Sequence, residues 1–398
     1  VDSQPNWQTN TIGADYIIIS HENFLTQVQT LANYRAGQNL RVQVVDVQDV
    51  YDEFNYGVFD PGAIKSFIAY AYTNWISPKP SFVLLVGDGN FDFKNSYGWN
   101  EPNYIPPYLD EIDPWIGETA TDNRYVSVSG GDILPDLYIG RFPVRTTAEA
   151  QTMVDKTINY EQVAPVGGWN ANQLFVADNP DSGGNFAVLS DQIVNTYVPD
   201  DYTVDKIYYG SNYTDSAAAR TALQNAINQG RFIVHYAGHA DVQQWASEGL
   251  LKLTDLSSLS NGSKLPFFLP MTCAEGYFTW PNPSGSDYSS LGESIVRING
   301  RGAIASWSPT GYGLSTGHDI LDQNLFDNLF NNQQTQLGYL TTQAKYYLYA
   351  NSSAYNDLVE TFVLFGDPAL RLQALAFPPF SPGNLQASPI SSTRIDLS

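Results

Sequence analysis

The sequence predicts an α/β protein built from two units, each with a mostly parallel sheet. Short runs of β-branched and aromatic residues end at glycine or another small residue, as buried parallel strands often do. Segments with apolar residues at helical spacing separate these runs, which is the alternation that βαβ units produce. The chain has 398 residues, 43% of them hydrophobic, which is too long for one compact core.

The first predicted unit covers residues 1–145. Its strands and helices are expected at 14–20, 24–32, 41–45, 61–75, 81–87 and 136–141. Pro61 opens the second helix, because proline is favoured in a first helical turn. Residues 104–132 are rich in acidic and loop-forming residues, and a loop of this length inside a compact domain is usually functional.

The second predicted unit covers residues 146–372 and repeats the pattern. Its elements are expected at 147–160, 173–177, 186–196, 202–209, 216–228, 232–239, 266–273, 290–298, 302–306, 319–331 and 361–368. Two of its apolar runs end at His239 and Cys273. Because ligands bind outside the carboxyl ends of parallel strands, we expect these two side chains to emerge side by side at one edge of the sheet.

Residues 373–398 are expected to form a third, incomplete part. Pro378, Pro379 and Pro382 predict a stiff linker. The residues that follow alternate like β-strands but are too few to form a domain alone, so we interpret them as the truncated start of a β-sandwich. The order of residue types in this segment resembles the start of a fibronectin type III domain.

The charge balance is strongly acidic, with 41 Asp and Glu against 19 Lys and Arg and a net charge of −22. Such a surface repels nucleic acid and anionic lipid, which excludes nucleic-acid binding as a function class. It indicates a protein that is soluble in salty or extracellular water, or one in which some acids hold Ca²⁺. No apolar run approaches the length of a transmembrane helix.

Cys273 is the one cysteine of the chain, so no intrachain disulfide can form. A lone cysteine is more often packed as a small hydrophobe than used in catalysis. Cys273, however, ends an apolar run, and its small neighbours and Gly276 leave room for a substrate. A histidine at a matching strand end supplies the base that a thiol nucleophile needs.

The chain has four histidines, and only His239 is predicted to act on the thiol. His235 lies inside the same run and is expected to be packed or hydrogen-bonded, while His21 and His318 are assigned no role. One cysteine and scattered histidines do not make a zinc site. Gly238 precedes the base, and its N–H together with that of Cys273 is predicted to form an oxyanion hole.

These runs, which contain Tyr-Ala-Gly-His-Ala and Met-Thr-Cys-Ala-Glu-Gly, resemble the catalytic blocks of the gingipain-type cysteine peptidases. That family belongs to a wider clan with caspases, legumain and clostripain. Further blocks resemble the family in the same order, at 16–20, 45–54, 84–88, 121–125, 138–142 and 364–368. The resemblance covers about residues 14–372. It implies two caspase-like αβα subdomains with mostly parallel sheets, and a catalytic dyad of Cys273 and His239 in the second.

The resemblance also implies an acid that orients the histidine from the loop after the first strand of the second unit. Asp178, at the strand tip, is the first choice for this role. Asp181, which precedes Gly183 and Gly184, is the alternative. Either aspartate is also suited to a purely structural Asx turn.

Substrate and metal contacts are the least determined part of the prediction. Relatives that cleave after Arg carry an acid just beyond the loop, whereas this chain has none from Gly184 to Ala187, so the resemblance does not extend to basic specificity. Predicted pocket residues, with core packing or solvent exposure as the alternatives, are Glu275, Trp280, Trp307 and Tyr312. Members of the family bind calcium, and the acids predicted to hold a structural Ca²⁺, unless they are merely solvated, are Asp110, Glu111, Asp113 and Asp122.

The sequence therefore predicts a secreted cysteine endopeptidase that acts on proteins or peptides and uses no cofactor for catalysis. One alternative keeps the dyad but passes the acyl group to an amine, as a sortase-like transpeptidase of cell-surface proteins would. The other is a non-catalytic surface or adhesion module. We expect an extracellular or cell-surface location, with attachment through further C-terminal modules.

Overall fold

The structure is a computed structural model that describes residues 6–9, 11–281, 288–377, 387–391 and 394–397, the last two as backbone. The strands are β1 (Tyr16–Ser20), β2 (Val42–Asp46), β3 (Phe82–Val86), β4 (Leu109–Asp113), β5 (Gly117–Ala120), β6 (Tyr138–Phe142), β7 (Asn172–Ala177), β8 (Thr203–Tyr208), β9 (Ile233–Ala237), β10 (Ala240–Asp241), β11 (Gln244–Trp245), β12 (Leu251–Lys252), β13 (Phe267–Met271), β14 (Ala305–Pro309), β15 (Phe362–Phe365), β16 (Ala387–Ser391) and β17 (Arg394–Leu397).

Ten of the described strands form one sheet in the order β2-β1-β3-β6-β15-β14-β13-β9-β7-β8. Neighbouring strands are parallel except at β14 and β15, which are antiparallel. The prediction of a mostly parallel α/β fold is confirmed, but the two predicted units share a single continuous sheet. Because the direction reverses at the β14–β15 pair, the carboxyl ends of the two halves lie at opposite edges of this sheet.

The helices cover both faces of the sheet. They are α1 (Leu25–Gly37), α2 (Val47–Asn55), α3 (Pro61–Asn74), α4 (Asn123–Val126), α5 (Thr147–Gln162), α6 (Phe186–Tyr197), α7 (Ser216–Gln229), α8 (Leu291–Arg297), α9 (Ser315–Phe326), α10 (Leu337–Asn351) and α11 (Asn356–Thr361). One apolar core packs α1, α5, α7 and α8 against one face. Two further cores pack α2 and α3, and α6, α9 and α10, against the other face, so the fold has three layers.

Alternating strand side chains decide which core each residue joins. In β9, Val234 and Tyr236 join the core that contains α1, α5, α7 and α8, while Ile233 and Ala237 join the core that contains α6, α9 and α10. In β13, Met271 lies on the α9 side with Ala237. Alternate residues of β9 and β13 therefore belong to the cores on opposite faces of the sheet.

Several elements differ from the predictions. Helix α2 was not predicted, although Asp46 caps it by accepting from the Gln48 N–H at 3.0 Å. Helix α10 was also not predicted, and β14 begins at Ala305 rather than at residue 302. The predicted long loop contains the β4–β5 hairpin and α4, which reach the edge formed by the carboxyl end of β14.

Only residues 387–391 and 394–397 are described in the region after residue 377, so most of the predicted third part is not tested. Strands β16 and β17 form a two-stranded antiparallel sheet. Pro378, Pro379 and Pro382 lie outside the described residues, so the linker and the β-sandwich stay predictions, as does the boundary at residue 145. None of the helices in the described part of the chain qualifies as a transmembrane segment.

Candidate active site

The register of β9 and β13 sets the two predicted dyad residues beside each other. Ala237 pairs with Met271, and His239 and Cys273 each follow two residues later. The strands stay in contact beyond the pair, since the Thr272 hydroxyl donates to the Gly238 carbonyl oxygen at 2.7 Å. Adjacent strands lie about 4.8 Å apart, so both side chains emerge at one edge of the sheet, as predicted.

The Cys273 thiol is partly buried and donates to the Gly313 carbonyl oxygen, with the sulfur 3.6 Å from that oxygen. Burial raises the pKa of this thiol, because the thiolate is poorly solvated there. The neutral thiol is therefore its resting form near pH 7, and attack on a substrate requires a base.

The turn after Cys273 is held tightly to the segment that follows β14. Ala274 has a φ of 51°, a left-handed conformation that is uncommon for residues with a Cβ atom. Its N–H donates to the Gly311 carbonyl at 2.7 Å, and the Gly276 N–H donates to the Pro309 carbonyl at 2.8 Å. These bonds hold a strained turn that presents Cys273 at its tip.

The His239 imidazole is half-exposed and bonded to an aspartate. Its Nε2 lies 3.0 Å from Oδ2 of Asp181, and the ring of Phe186 packs edge-on against it at 5.4 Å between centroids. The Gly183 N–H donates to Oδ1 of Asp181 at 2.7 Å. That bond, followed by the bond to His239, lowers the pKa of Asp181, so its carboxylate stays charged and orients the ring.

Asp178, the first choice for this orienting role, does not contact the imidazole. Its buried carboxylate accepts from the main-chain N–H groups of Asn179 at 2.8 Å and His239 at 3.3 Å. It therefore holds the backbone of the histidine, and Asp181, the alternative, holds the ring. The difference arises because Asp178 still lies at the strand tip, while the turn at Gly183 brings Asp181 back over the site.

Gly238 does not fit the predicted oxyanion role. Its N–H is directed along the sheet to the Met271 carbonyl, at an N···O distance of 3.4 Å. The glycine is instead required for packing, since a Cβ atom there would come within 2.5 Å of both the Asp178 Cβ and the Tyr236 hydroxyl. The N–H of Cys273 meets no acceptor among the described residues, which leaves it available as a donor.

Two of the four predicted pocket residues are buried. Glu275 and Trp307 are both 0% exposed, so neither can touch a substrate in this structure. Glu275 follows the Ala274 turn inward, and Trp307 packs in the core against Phe362. Trp280 and Tyr312 are 42% and 43% exposed and remain available at the rim.

Three of the four predicted calcium ligands are engaged with other partners, and the four do not fit a shared site. Asp122 pairs with Arg141, and Asp110 lies 3.5 Å from Arg124. Asp113 accepts from main-chain N–H groups, while Glu111 lies exposed in the hairpin. Among the described residues, no three metal-ligating side chains come together. Calcium binding stays a prediction without an assigned site.

Asp113 has a structural role that the sequence did not reveal. Its carboxylate accepts from the N–H groups of Trp115 at 2.7 Å, Ile116 at 3.0 Å and Tyr312. It thereby ties the β4–β5 hairpin to the segment that contacts Cys273. No local motif predicts this contact, because the two segments are about two hundred residues apart in sequence. For the acid that orients His239, by contrast, the sequence did give a local signal, since Gly183 and Gly184 follow Asp181 closely.

Of the other buried histidines, His235 has the hydrogen-bonded role predicted for it, and His318, which was assigned no role, is also buried. His235 bonds Asp322 at 2.8 Å inside the core. Burial lowers the pKa of His318 to about 4, so this residue is neutral in the physiological range. Below the dyad, Ala237, Met271 and Phe186 line a cavity of about 20 Å³, with room for about one water molecule.

The family model and the similar curated proteins all point to the same group, the gingipain-type peptidases. The model of peptidase family C25 matches residues 9–373. Gingipain R2 of Porphyromonas gingivalis is 23% identical over 389 residues, which cover 94% of this chain and 48% of that protein. Gingipain R1 of the same species is 22% identical over 373 residues, which cover 90% of this chain and 34% of that protein. The chain thus spans half or less of these curated relatives.

Solved structures show the same fold. The crystal structure of the Arg-specific cysteine proteinase gingipain R (RgpB) matches with a TM-score of 0.72 and 21% identity, over 91% of this chain and 78% of that one. A structure described only as a protease matches with a TM-score of 0.72 and 18% identity, over 98% of this chain and 86% of that one.

Proposed function

The chain belongs to peptidase family C25, and from this we propose that it is a cysteine endopeptidase with Cys273 as nucleophile and His239 as base. The observation that carries the proposal is the shared register of the two residues, at the carboxyl ends of adjacent parallel strands. The hydrogen bond between His239 and Asp181 supports the assignment of the base.

The proposed reaction proceeds through protein groups. As the Cys273 sulfur attacks the peptide carbonyl carbon, His239 takes the thiol proton and the carbonyl electrons move to oxygen. The Cys273 N–H stabilises that oxyanion. When the intermediate collapses, the C–N bond breaks, His239 protonates the leaving amine, and a thioester remains. Water, deprotonated by His239, then attacks the thioester and releases the carboxylic acid and the thiol.

The environment of the thiol favours proton transfer during attack over a standing thiolate–imidazolium pair. Burial raises the pKa of Cys273, whereas a permanently ionised thiol requires the opposite shift. Asp181 stays charged beside His239 and stabilises the imidazolium as it forms. We therefore propose that Asp181 contributes to the chemical step through the charge on the ring.

Proteins or peptides are the proposed substrates, and an extracellular or cell-surface location is proposed from the acidic surface and the homology to gingipains. The Arg specificity of gingipain R is not carried over to this chain. Residues 184–187 contain no acid, and Asp191 already bonds Lys206 at 2.8 Å and the Tyr208 hydroxyl at 2.7 Å. In the part of the chain that the structure describes, no feature favours transfer to an amine over hydrolysis.

A peptide-library digestion tests the proposal. We expect cleavage by the wild type, none by Cys273→Ala, and a loss of at least a hundredfold in His239→Ala. His21→Ala is the matched control, since His21 also follows a strand but lies at the other end of the sheet. Runs with and without Ca²⁺ test the metal prediction, and an added amine detects transpeptidation. Cleavage that persists in Cys273→Ala contradicts the proposal.

A further inference from the structure

Glu275 is a buried acid beside the nucleophile that the proposed reaction does not use. It lies two residues after Cys273 and is 0% exposed. Among the described residues, neither of its carboxyl oxygens meets a donor at hydrogen-bonding geometry. The Trp245 indole and the Ser308 hydroxyl lie beside it, and a Cβ atom on Gly292 of α8 would come within 2.8 Å of its Oε2. The side chain thus fills a closed space on the α8 face of the sheet.

The same space is connected to the predicted base. The Trp245 ring stacks on the Tyr236 ring, with 4.4 Å between centroids and 3° between planes. The Tyr236 hydroxyl donates to the His239 carbonyl oxygen at 2.5 Å, and the Ala246 N–H donates to the same oxygen at 2.7 Å. The packing around Glu275 therefore supports the backbone of His239 as well as the turn that carries Cys273.

Neutral groups surround the carboxyl. Ser308 shares a hydrogen bond with Ser306 at 2.8 Å, and Trp245 is an uncharged donor. On α8, Glu293 and Arg297 pair with each other at 2.7 Å, and the nearby Asp88 belongs to that cluster. The acidic residue on β10, Asp241, is exposed.

An ionised Glu275 would lack both water and a cation, which is costly in a protein interior. Burial accordingly raises the pKa of Glu275 to about 7, so the neutral form prevails below that pH.

We propose that Glu275 is a positioning residue that works as a neutral carboxyl, filling the space between Trp245, Ser308 and α8 so that the Cys273 turn stays in place opposite His239. This rests on the proposed cysteine peptidase function. When the carboxyl ionises, it leaves this space for solvent, the turn loosens, and the reactivity of Cys273 falls.

The test compares wild type with Glu275→Gln, which keeps the shape and cannot ionise. kcat/KM for a peptide substrate and the rate of Cys273 alkylation by iodoacetamide are measured from pH 5 to pH 9. Glu22→Gln, an exposed acid, is the control. We expect equal activities at pH 5, and a variant-to-wild-type ratio that rises by up to about tenfold per pH unit above pH 7.

Parallel pH profiles for wild type and Glu275→Gln overturn the proposal. Glu275→Met, also neutral and of similar length, repeats the test, and the failure of both variants to fold overturns it as well, because a neutral side chain is then not sufficient. Iodoacetamide keeps this test separate from the proposed function. If the wild type cleaves no peptide, the alkylation profiles still decide whether Glu275 controls Cys273.

Discussion

Asp122→Asn is expected to destabilise the protein strongly, and by the same amount with and without Ca²⁺. Asp122 was a predicted metal ligand, but its carboxylate bonds the Arg141 guanidinium at 2.7 Å through both oxygens. Arg141 is 0% exposed, and its remaining donors reach the carbonyl oxygens of Gly87, Ile105 and Pro106. The substitution keeps the shape of the side chain and removes the charge that compensates the buried guanidinium.

The expected cost follows from this burial. Removing one partner of a buried ion pair typically costs about 3–5 kcal/mol, because the other charge is left without compensation. At about 2.1 cal/mol/K per residue, a chain of 398 residues has an unfolding entropy of about 0.8 kcal/mol/K. The melting temperature should therefore fall by about 4–6 °C.

Differential scanning calorimetry with Ca²⁺ and with EDTA measures this effect. Asp110→Asn is the matched control, because Asp110 is partly exposed and lies 3.5 Å from Arg124, so it should shift the melting temperature by about 1 °C or less. The reasoning fails if Asp122→Asn melts like the wild type. It also fails if the loss disappears in EDTA, since Asp122 would then act through a metal.

Three further predictions use other parts of the site. Asp181→Asn should lower kcat/KM about tenfold with little change in melting temperature, because the hydrogen bond to His239 that it alters is exposed; an unchanged rate from pH 6 to pH 8 would contradict the orienting role. Trp307→Ala should cost about 3–5 kcal/mol in urea unfolding, whereas Tyr312→Ala should alter KM and leave stability within about 0.5 kcal/mol; the reverse pattern would restore the pocket prediction for Trp307. Glu275→Gln should stabilise the protein in a pH-dependent way: the folded-state pKa of Glu275 is raised from 4.5 to about 7, so wild-type stability falls as pH rises between these values, and above pH 7 the variant should be more stable by about 3 kcal/mol. If wild type and Glu275→Gln have equal unfolding midpoints at pH 5 and also at pH 8, Glu275 is not protonated in the folded state.

Continuous apolar runs made much of the fold predictable. The runs at β1, β3, β9 and β13 are apolar on both faces, which is typical of strands covered by helices on both sides. Helix α2 was missed because it follows β2 without a loop, although Val47, Val50 and Tyr51 lie at helical spacing on its buried face. The reversal at β14 and β15 has no local signal, since pairing between strands distant in sequence sets it.

The site was predictable where one strand end determines it and unpredictable where a loop does. Cys273 and His239 follow directly from two apolar runs, and strand register then brings them together. Asp178 and Asp181 lie in one turn, and only its three-dimensional course decides which carboxylate reaches the ring. The burial of Glu275 and Trp307 depends on packing against α8 and Phe362, which residue type and spacing do not reveal.

Covalent labelling of the protein with a peptidyl acyloxymethyl ketone, followed by mass mapping of the modified peptide, shows directly whether Cys273 and His239 act together. We expect a thioether at Cys273 that forms quickly in wild type and in His21→Ala, and at least a hundredfold more slowly in His239→Ala. If Cys273 stays unlabelled, or reacts equally fast without His239, the thiol and the imidazole do not act together and the peptidase proposal is wrong.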